Sequence, residues 1–102
     1  MVKSTIGNRV SFDEGRVRGT VEDEVLVLEE YDDKDFLDLI QYIRWDGGEH
    51  SIRFCYYVRQ HGTGEKNWIF ANRALSIGSD ELVKLLKKAE KKTWFKLILD
   101  QL

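Results

Sequence analysis

The chain has no proline, only one cysteine and no long apolar run. A lone cysteine, Cys55, cannot form an internal disulfide, so we expect a reducing compartment, the cytoplasm. The longest apolar run, residues 25–28, is far shorter than the roughly 18 residues of a membrane-spanning helix. The N-terminal residues also lack the apolar centre of a signal peptide. These absences predict a cytoplasmic protein without a membrane partner.

What the chain does contain is enough apolar material for one packed domain. Of its 102 residues, 42% are hydrophobic and 12% are aromatic, which argues against a disordered chain. We expect a single domain over residues 1–102, rich in strands over residues 5–71 and helical over residues 79–102.

The net charge of −2 hides an uneven distribution along the chain. Residues 1–38 hold eleven acidic and five basic side chains, a balance of −6, whereas residues 39–102 hold seven and eleven, a balance of +4. Such polarity can orient a partner during an encounter. A nucleic-acid-binding domain is expected to be strongly basic, so the charge favours a protein partner over nucleic acid.

The first third of the chain reads as short strands joined by turns. Alternating polar and apolar residues predict strands over residues 7–12 and 16–21, separated by a turn at 13–15. A second turn over the acidic residues 22–24 and a buried strand over 25–28 follow. The rhythm of Gly-x-x-Val from Gly7 and Gly-x-Val-x-Gly-x-Val from Gly15 resembles the first hairpins of SH3-like barrels, over about a quarter of the chain. This resemblance implies a curled antiparallel sheet and nothing about activity.

The middle of the chain leaves one alternative open. Residues 32–43 fit either a helix capped by Asp33 or a loop over 32–37 followed by a strand; the glycine-rich turn at 46–49 favours the strand, because a hairpin needs strands on both sides. Residues 67–71 predict a last strand. The expected fold class is α+β: a curled antiparallel sheet of five to six strands, with a C-terminal amphipathic helix packed on one face.

The C-terminal helix is predicted to begin at Ser79, which caps its first turn. Its leucines share one face and its lysines share the other, but the apolar residues beyond Thr93 fall on the lysine side. The chain therefore either bends near Thr93 or uses its last residues against another surface. Those residues form either a cap on the core or an association surface, and the two readings are about equally supported: Trp94, Phe95, Ile98, Leu99 and Leu102.

The hairpin around Gly47 and Gly48 carries the candidate binding surface. A two-residue turn at these glycines pairs residues 41 with 54, 43 with 52 and 45 with 50. One face of the hairpin then forms the core: Leu39, Ile43, Trp45, Ile52, Phe54, Tyr56 and Val58. The other face carries Ser51, Cys55 and the candidate binding residues: Tyr42, Arg44, Arg53, Tyr57 and Arg59.

Three readings of these binding residues stay open. Tyrosine and arginine are favoured at protein interfaces, and rings alternating with guanidinium groups also suit stacked bases and phosphates. The simplest reading is a plain strand face, on which Tyr42 and Arg53 stabilise each other by a ring–cation contact.

No complete catalytic or metal-binding pattern occurs in the chain. The GTGEK segment at 62–66 departs from the phosphate-binding loop, because Glu65 precedes Lys66 and Asn67 follows it. The two histidines and Cys55 lack the spacing of a zinc site, and Cys55 lacks a neighbour in sequence that would activate it. Arg73 is expected to pair with the acidic first turn of the helix.

The sequence thus predicts a non-enzymatic interaction module without cofactor or metal, which binds a protein partner or forms a homo-oligomer. The alternative is a domain that binds single-stranded or backbone-directed nucleic acid through the tyrosine and arginine face, aided by the helix lysines. An enzyme is the least supported class, because no set of residues points to a reaction.

Overall fold

The computed structural model describes residues 4–61, 68–71 and 77–101. They form five antiparallel strands, paired in sequence order as a curled half-barrel, with two C-terminal helices packed against it. The predicted α+β fold class is confirmed. The elements are β1 Arg9–Phe12, β2 Val17–Glu30, β3 Lys34–Trp45, β4 His50–Gln60, β5 Ile69–Phe70, α1 Ser79–Ala89 and α2 Thr93–Leu99.

The curl of the sheet follows from contacts made by Arg53 on β4. The centre of its guanidinium group lies 6.0 Å from the ring of Phe12 on β1 and 5.0 Å from the ring of Phe70 on β5. These strands are the two edges of the sheet, and in a flat five-stranded sheet they lie about 19 Å apart, four spacings of about 4.8 Å. One arginine reaches both rings only because the sheet curls around it. We call the side that carries Arg53 the inner face and the side covered by the helices the outer face.

The pairing of β3 with β4 differs by one residue from the prediction. Trp45 and Glu49 close the hairpin, because the Trp45 amide donates to the Glu49 carbonyl at 2.8 Å, and the loop has three residues rather than two. Gly48 ends this loop with φ of +98°, the left-handed conformation that completes a three-residue turn. Gln41 therefore lies opposite Arg53 rather than opposite residue 54. A shift of one residue exchanges the two faces of one strand relative to the other.

The expected composition of the two hairpin faces is consequently wrong. Odd-numbered residues of both strands share the inner face, and even-numbered residues share the outer face. Phe54, predicted to be in the core, is 49% exposed, whereas Tyr57, predicted to face solvent, is 8% exposed. The predicted core face is thus divided: Leu39, Ile43 and Trp45 lie inside the curl, and Ile52, Phe54, Tyr56 and Val58 lie outside it.

Both faces of the sheet bury apolar side chains. On the outer face α1 and α2 cover the middle of β2 and β3, in a cluster of Val25, Val27, Ile40, Leu85, Ala89 and Phe95. On the inner face the curl itself encloses a second cluster of Leu37, Leu39, Cys55 and Tyr57. The central strand β3 is consequently buried on both sides.

The strand β2 is one continuous element of 14 residues, so the predicted turn at 22–24 is wrong. The register shifts between Val21 and Asp23, which marks a β-bulge instead of a turn. The bulge turns Asp23 toward α2, where its carboxylate accepts hydrogen bonds from Trp94 Nε1 at 2.9 Å and Lys92 Nζ at 3.3 Å. Burial raises the pKa of Asp23, but the hydrogen bonds from Trp94, Glu24 and Lys92 outweigh it and the pKa is lowered.

The open question at residues 32–43 is resolved as strand. A tight turn, in which the Tyr31 amide donates to the Lys34 carbonyl at 2.9 Å, joins β2 to β3. The strand begins at Lys34, so the loop is shorter than predicted and the helix alternative is wrong.

The C-terminal part follows the predicted helix and bend. Leu85 and Ala89 face the sheet as expected, although Gly78 rather than Ser79 is the N-cap. The chain turns over residues 90–92 and a separate helix starts at Thr93, which confirms the bend. No helix in the described ranges combines the length and apolar character needed to cross a bilayer.

Candidate protein-interaction site

The five predicted binding residues do not form one surface. Tyr42 and Arg44 lie on the outer face, and Arg53, Tyr57 and Arg59 lie on the inner face. The reason is the three-residue loop, which shifts β4 by one position against β3. The single tyrosine and arginine face predicted from the sequence therefore does not exist.

On the outer face, Tyr42 is engaged by other rings. Its ring stacks on His50, with centres 4.6 Å apart, and on Trp94 of α2, with centres 5.0 Å apart. Arg44 lies beside Glu22 at 3.7 Å, an exposed ion pair. Tyr42 thus holds α2 against the sheet, and a base cannot stack on it without displacing one of these rings.

On the inner face, Arg59 belongs to a compact charged cluster at the end of the hairpin. Its guanidinium group donates to the buried carboxylate of Asp35 at 2.8 Å and lies 4.4 Å from the centre of the Trp68 ring. His61 Nε2 lies 2.9 Å from the same carboxylate oxygen, and its Nδ1 lies 3.1 Å from the Asp32 carbonyl. The hydrogen bonds from His61 and Arg59 lower the pKa of Asp35, and the bond to Asp35 raises the pKa of His61.

Arg53 is the centre of the inner-face site. Its Nε donates to the side-chain carbonyl of Gln41 at 2.8 Å, which orients the guanidinium group between the Phe12 and Phe70 rings. In the described part of the chain no carboxylate lies within 4 Å of this guanidinium group. Phe12 is 48% exposed and Phe70 is 39% exposed, so the group lies at the mouth of the half-barrel and not deep inside it.

A buried polar network holds Gln41, the hydrogen-bond partner of Arg53, in place. Gln41 is fully buried and donates from Nε2 to Thr5 Oγ1 at 2.8 Å. The Thr5 amide in turn donates to the carboxylate of Glu24 at 2.6 Å. This network ties the N-terminal segment to β2 and β3, and it fixes the position of the arginine through a fully buried amide.

The first half of β4, beside Arg53, has fewer described pairings than the rest of the strand. β5 pairs with β4 only at Tyr57 and Val58, and the Ala71 amide adds one bond to the Tyr56 carbonyl. Residues 50–55 of β4 pair with β3 on one side, and no described strand pairs with them on the other side. Phe54 lies on this stretch and faces the outer side. We call the stretch, together with Phe12, Arg53, Phe54 and Phe70, the seam site.

The predicted association surface is only partly available. Phe95 is buried in the outer core, and Trp94 packs against the same core, so these two residues cap the sheet. Ile98 and Leu99 are exposed, together with the neighbouring Leu97 at 57%. Leu102 lies outside the described residues, as do the GTGEK segment at 62–66 and Arg73.

The thiol of Cys55 is poorly suited to nucleophilic chemistry. Burial raises its pKa to about 11, and the nearby Arg53 only partly offsets this rise. The nucleophile in such chemistry is the thiolate, which forms readily only at a lowered pKa. Within residues 4–61, 68–71 and 77–101, no three side chains of the metal-binding types come together as a metal site would require.

A pair of carboxyl groups lies beneath α1 on the outer face. Asp38 is 1% exposed and hydrogen-bonds to Glu29 across the pair of central strands, and one of its oxygens has no partner. Burial, together with Glu29 and Glu81, raises the pKa of Asp38 to about 7, and burial also raises the pKa of Glu29. The burial of this acidic pair thus favours the protonated form of Asp38.

Sequence reasoning missed the aromatic members of the seam site. Phe12 and Phe70 come from the two edge strands, and only the curl brings both to Arg53. The alternation of residues 9–12 could have indicated the face on which Phe12 lies, because it places Phe12 on the same face as Val10. It gives no sign that Phe12 lies near Arg53.

No family model, curated protein or solved structure matches this chain.

Proposed function

We propose that the protein is a non-enzymatic interaction module that binds another polypeptide at the seam site. The observation that carries the proposal is the position of Arg53, which has no described carboxylate within 4 Å, between the exposed rings of Phe12 and Phe70, beside a stretch of β4 that no described strand pairs with on the side away from β3. Aromatic residues and arginine are enriched where proteins bind proteins. Natural sheets usually cover or blunt long edges, so such a stretch with exposed apolar neighbours suits a partner.

A protein partner fits these features better than nucleic acid. Single-strand binding sheets need exposed rings on which successive bases stack. Here Tyr42 already stacks on two rings and Tyr57 is largely buried. Nucleic-acid binding stays a prediction, but the five tyrosine and arginine residues on which it was based lie on two different faces of the sheet.

A second copy of the chain is the alternative partner, and one observation favours it. Leu97, Ile98 and Leu99 are consecutive exposed apolar residues on α2, between Lys96 and Asp100. Exposed apolar patches on a small protein often mark interfaces. Self-association through α2 and peptide binding at the seam site use different surfaces, so each can be tested alone.

The test of the proposed function is a selection of random peptides displayed on phage against the full-length chain. We expect enriched peptides that bind the wild type and lose affinity for a Phe12→Ser, Phe70→Ser double variant, because both exposed rings at the mouth are removed. A matched control, Leu97→Ser, removes one exposed apolar residue from α2 and should leave this binding unchanged. Failure to enrich any ligand sensitive to the double variant would overturn the proposal.

Self-association is measured in parallel by light scattering at two protein concentrations. If α2 is the association surface, Leu97→Ser will lower the mass at high concentration and the double variant will not. A mass that stays at one chain at both concentrations removes the second copy as a partner.

A further inference from the structure

We infer that His61 is a pH-operated latch, which ties the turn between β2 and β3 to the end of β4 only while its ring carries a positive charge. The latch lies at the opposite end of the β3–β4 hairpin from its loop and outside the seam site. It follows from the groups that face the two ring nitrogens and from the backbone bond that His61 makes.

The latch consists of three contacts made by one residue. The His61 amide donates to the Asp33 carbonyl at 2.8 Å, and Nδ1 of its ring lies 3.1 Å from the Asp32 carbonyl oxygen. Its Nε2 lies 2.9 Å from Oδ2 of Asp35, the second residue of β3. Asp32 and Asp33 belong to the turn between β2 and β3. The residue directly after β4 thus holds both this turn and the start of β3.

The two ring nitrogens are both satisfied only if both carry a proton. A backbone carbonyl accepts hydrogen bonds and cannot donate them, so the nitrogen beside Asp32 must be the donor. A neutral imidazole has one donor nitrogen, and its other nitrogen would then turn a lone pair toward the Asp35 carboxylate. The imidazolium form donates from both nitrogens. The geometry therefore selects the charged ring.

The proton between His61 and Asp35 belongs to the histidine, because other donors already hold Asp35 as a carboxylate. Arg59 donates to the same Oδ2 from Nη2 at 2.8 Å and from Nε at 3.2 Å. The hydrogen bonds from His61 and Arg59 lower the pKa of Asp35, and the bond to Asp35 raises the pKa of His61. The contact is thus a charged pair of imidazolium and carboxylate.

Loss of one proton opens the latch. When the ring releases its Nε2 proton to water, two acceptors face each other across the same 2.9 Å and repel. Asp35 keeps its bonds from Arg59, and its side chain is only 3% exposed, so it stays in place. The His61 side chain is 39% exposed and can move into solvent. The amide bond to Asp33 then loses the support of the ring, and the end of β4 frays from the turn.

The groups around the ring set the direction of the response. Asp35 on β3 and the Asp32 carbonyl of the turn favour the charged form, whereas partial desolvation and Arg59 on β4 oppose it. The turn and the start of β3 also carry the charges of Asp33 and Lys34. The net effect raises the pKa of this histidine above 6.5. The latch is therefore closed at acidic pH and opens as the pH rises through the raised value.

The test is amide hydrogen exchange of the full-length protein, followed by NMR from about pH 5 to about pH 9. Each rate is divided by the intrinsic exchange rate at the same pH, and the ring titration of His61 is recorded in the same samples. The readout is the protection of the His61 amide. The control is the Trp45 amide, which bonds the Glu49 carbonyl at 2.8 Å at the other end of the same hairpin.

Two variants separate the latch from a general effect of pH. His61→Gln keeps a hydrogen-bond donor but never carries a charge. His50→Gln is its matched control, because His50 is the other histidine of the chain and its Nε2 also lies 2.9 Å from a carboxylate, that of Glu22.

We expect the protection of the His61 amide to fall about five-fold as the pH rises through the titration of the His61 ring, with the same midpoint. The Trp45 amide should show no step at that midpoint. In His61→Gln the amide of residue 61 should be weakly protected at every pH, whereas His50→Gln should keep the step. Asp35→Asn should make the step smaller and move its midpoint to lower pH.

Constant protection of the His61 amide through its own titration would overturn the inference, as would a step that survives in His61→Gln. A step of equal size at Trp45 would overturn it too, because the whole hairpin and not its end would then respond to pH. If Asp35→Asn fails to fold, the wild type and the two histidine variants still decide between these outcomes.

Discussion

Replacing Asp38 by asparagine should stabilise the protein at and above neutral pH. Asp38 is almost fully buried beneath α1, and burial, with Glu29 and Glu81 nearby, raises its pKa to about 7. The charge of Lys84 partly offsets the rise in the pKa of Glu29. An asparagine keeps the shape of the protonated acid and can donate to Glu29 without carrying a charge.

The sign and size of the effect follow from proton linkage. In the unfolded chain Asp38 loses its proton near pH 3.8, whereas in the folded protein it keeps the proton to about pH 7. Between these two pH values the folded state binds more protons than the unfolded state, so the free energy of unfolding falls as the pH rises. Above about pH 7 the full loss of stability remains. A shift of about three units at about 1.4 kcal/mol each gives an upper bound of about 4 kcal/mol. Relaxation of the neighbouring carboxyl groups will reduce the measured value.

The assay is urea unfolding of the wild type and Asp38→Asn at pH 4, 6 and 8. We expect nearly equal stabilities at pH 4 and a growing advantage of the variant toward pH 8, up to about 4 kcal/mol. Asp80→Asn, at an exposed residue of α1, is the matched control and should show no such trend. A difference that is independent of pH, or a variant that is less stable at pH 8, would refute the burial of an uncompensated carboxyl group at this interface.

Three further predictions test the core, the sheet and the charged cluster. Leu85→Ala should destabilise the protein by about 3 kcal/mol in urea unfolding, because it empties a fully buried position under α1; a loss below about 1 kcal/mol would mean that α1 is not docked as described. Gly19→Ala should cost about 1–3 kcal/mol, since the added Cβ would lie 2.7 Å from the Trp45 ring and 2.8 Å from the Arg44 carbonyl oxygen; unchanged stability would contradict this close approach of β2 to β3. In an NMR titration the pKa of His61 should lie above its ordinary value and fall toward it in Asp35→Asn, and a His61 pKa insensitive to that change would contradict the ion pair.

The helical end of the fold could be predicted because its pattern is local. Leu85 and Ala89 recur at helical spacing, and the displaced apolar stripe after Thr93 required a bend. Strand β2 was harder to predict. The acidic residues at 22–24 resemble a turn, but Asp23 and Glu24 are held by Trp94 and Thr5, partners that only the folded chain brings near.

The hairpin register could not be decided from the sequence for a physical reason. Strand register is strongly specified where one face is buried and the other is wet. Here β3 is buried on both faces, with Leu39 inside the curl and Ile40 under the helices. Its apolar residues therefore fit either register, and the left-handed conformation of Gly48, which selects the three-residue loop, leaves no separate mark in the sequence.

Of the residues that define the seam site, only Arg53 was predicted from the sequence as a binding residue. It is half-buried and has aromatic neighbours, as predicted. Those neighbours are Phe12 and Phe70 rather than Tyr42 and Tyr57, because the curl joins edge strands that are distant along the chain. The roles of the predicted residues in binding stay predictions.

The pairing of β3 with β4 is the claim on which the seam site depends, and cross-strand NMR contacts test it most directly. Opposed Cα atoms in pairs without backbone hydrogen bonds lie only about 4.5 Å apart, which gives strong contacts between their α protons. The register described here predicts such contacts between Tyr42 and Ile52 and between Ile40 and Phe54. Contacts between Ile43 and Ile52, or between Gln41 and Phe54, would instead place Arg53 beside Tyr42 on the outer face and remove the site.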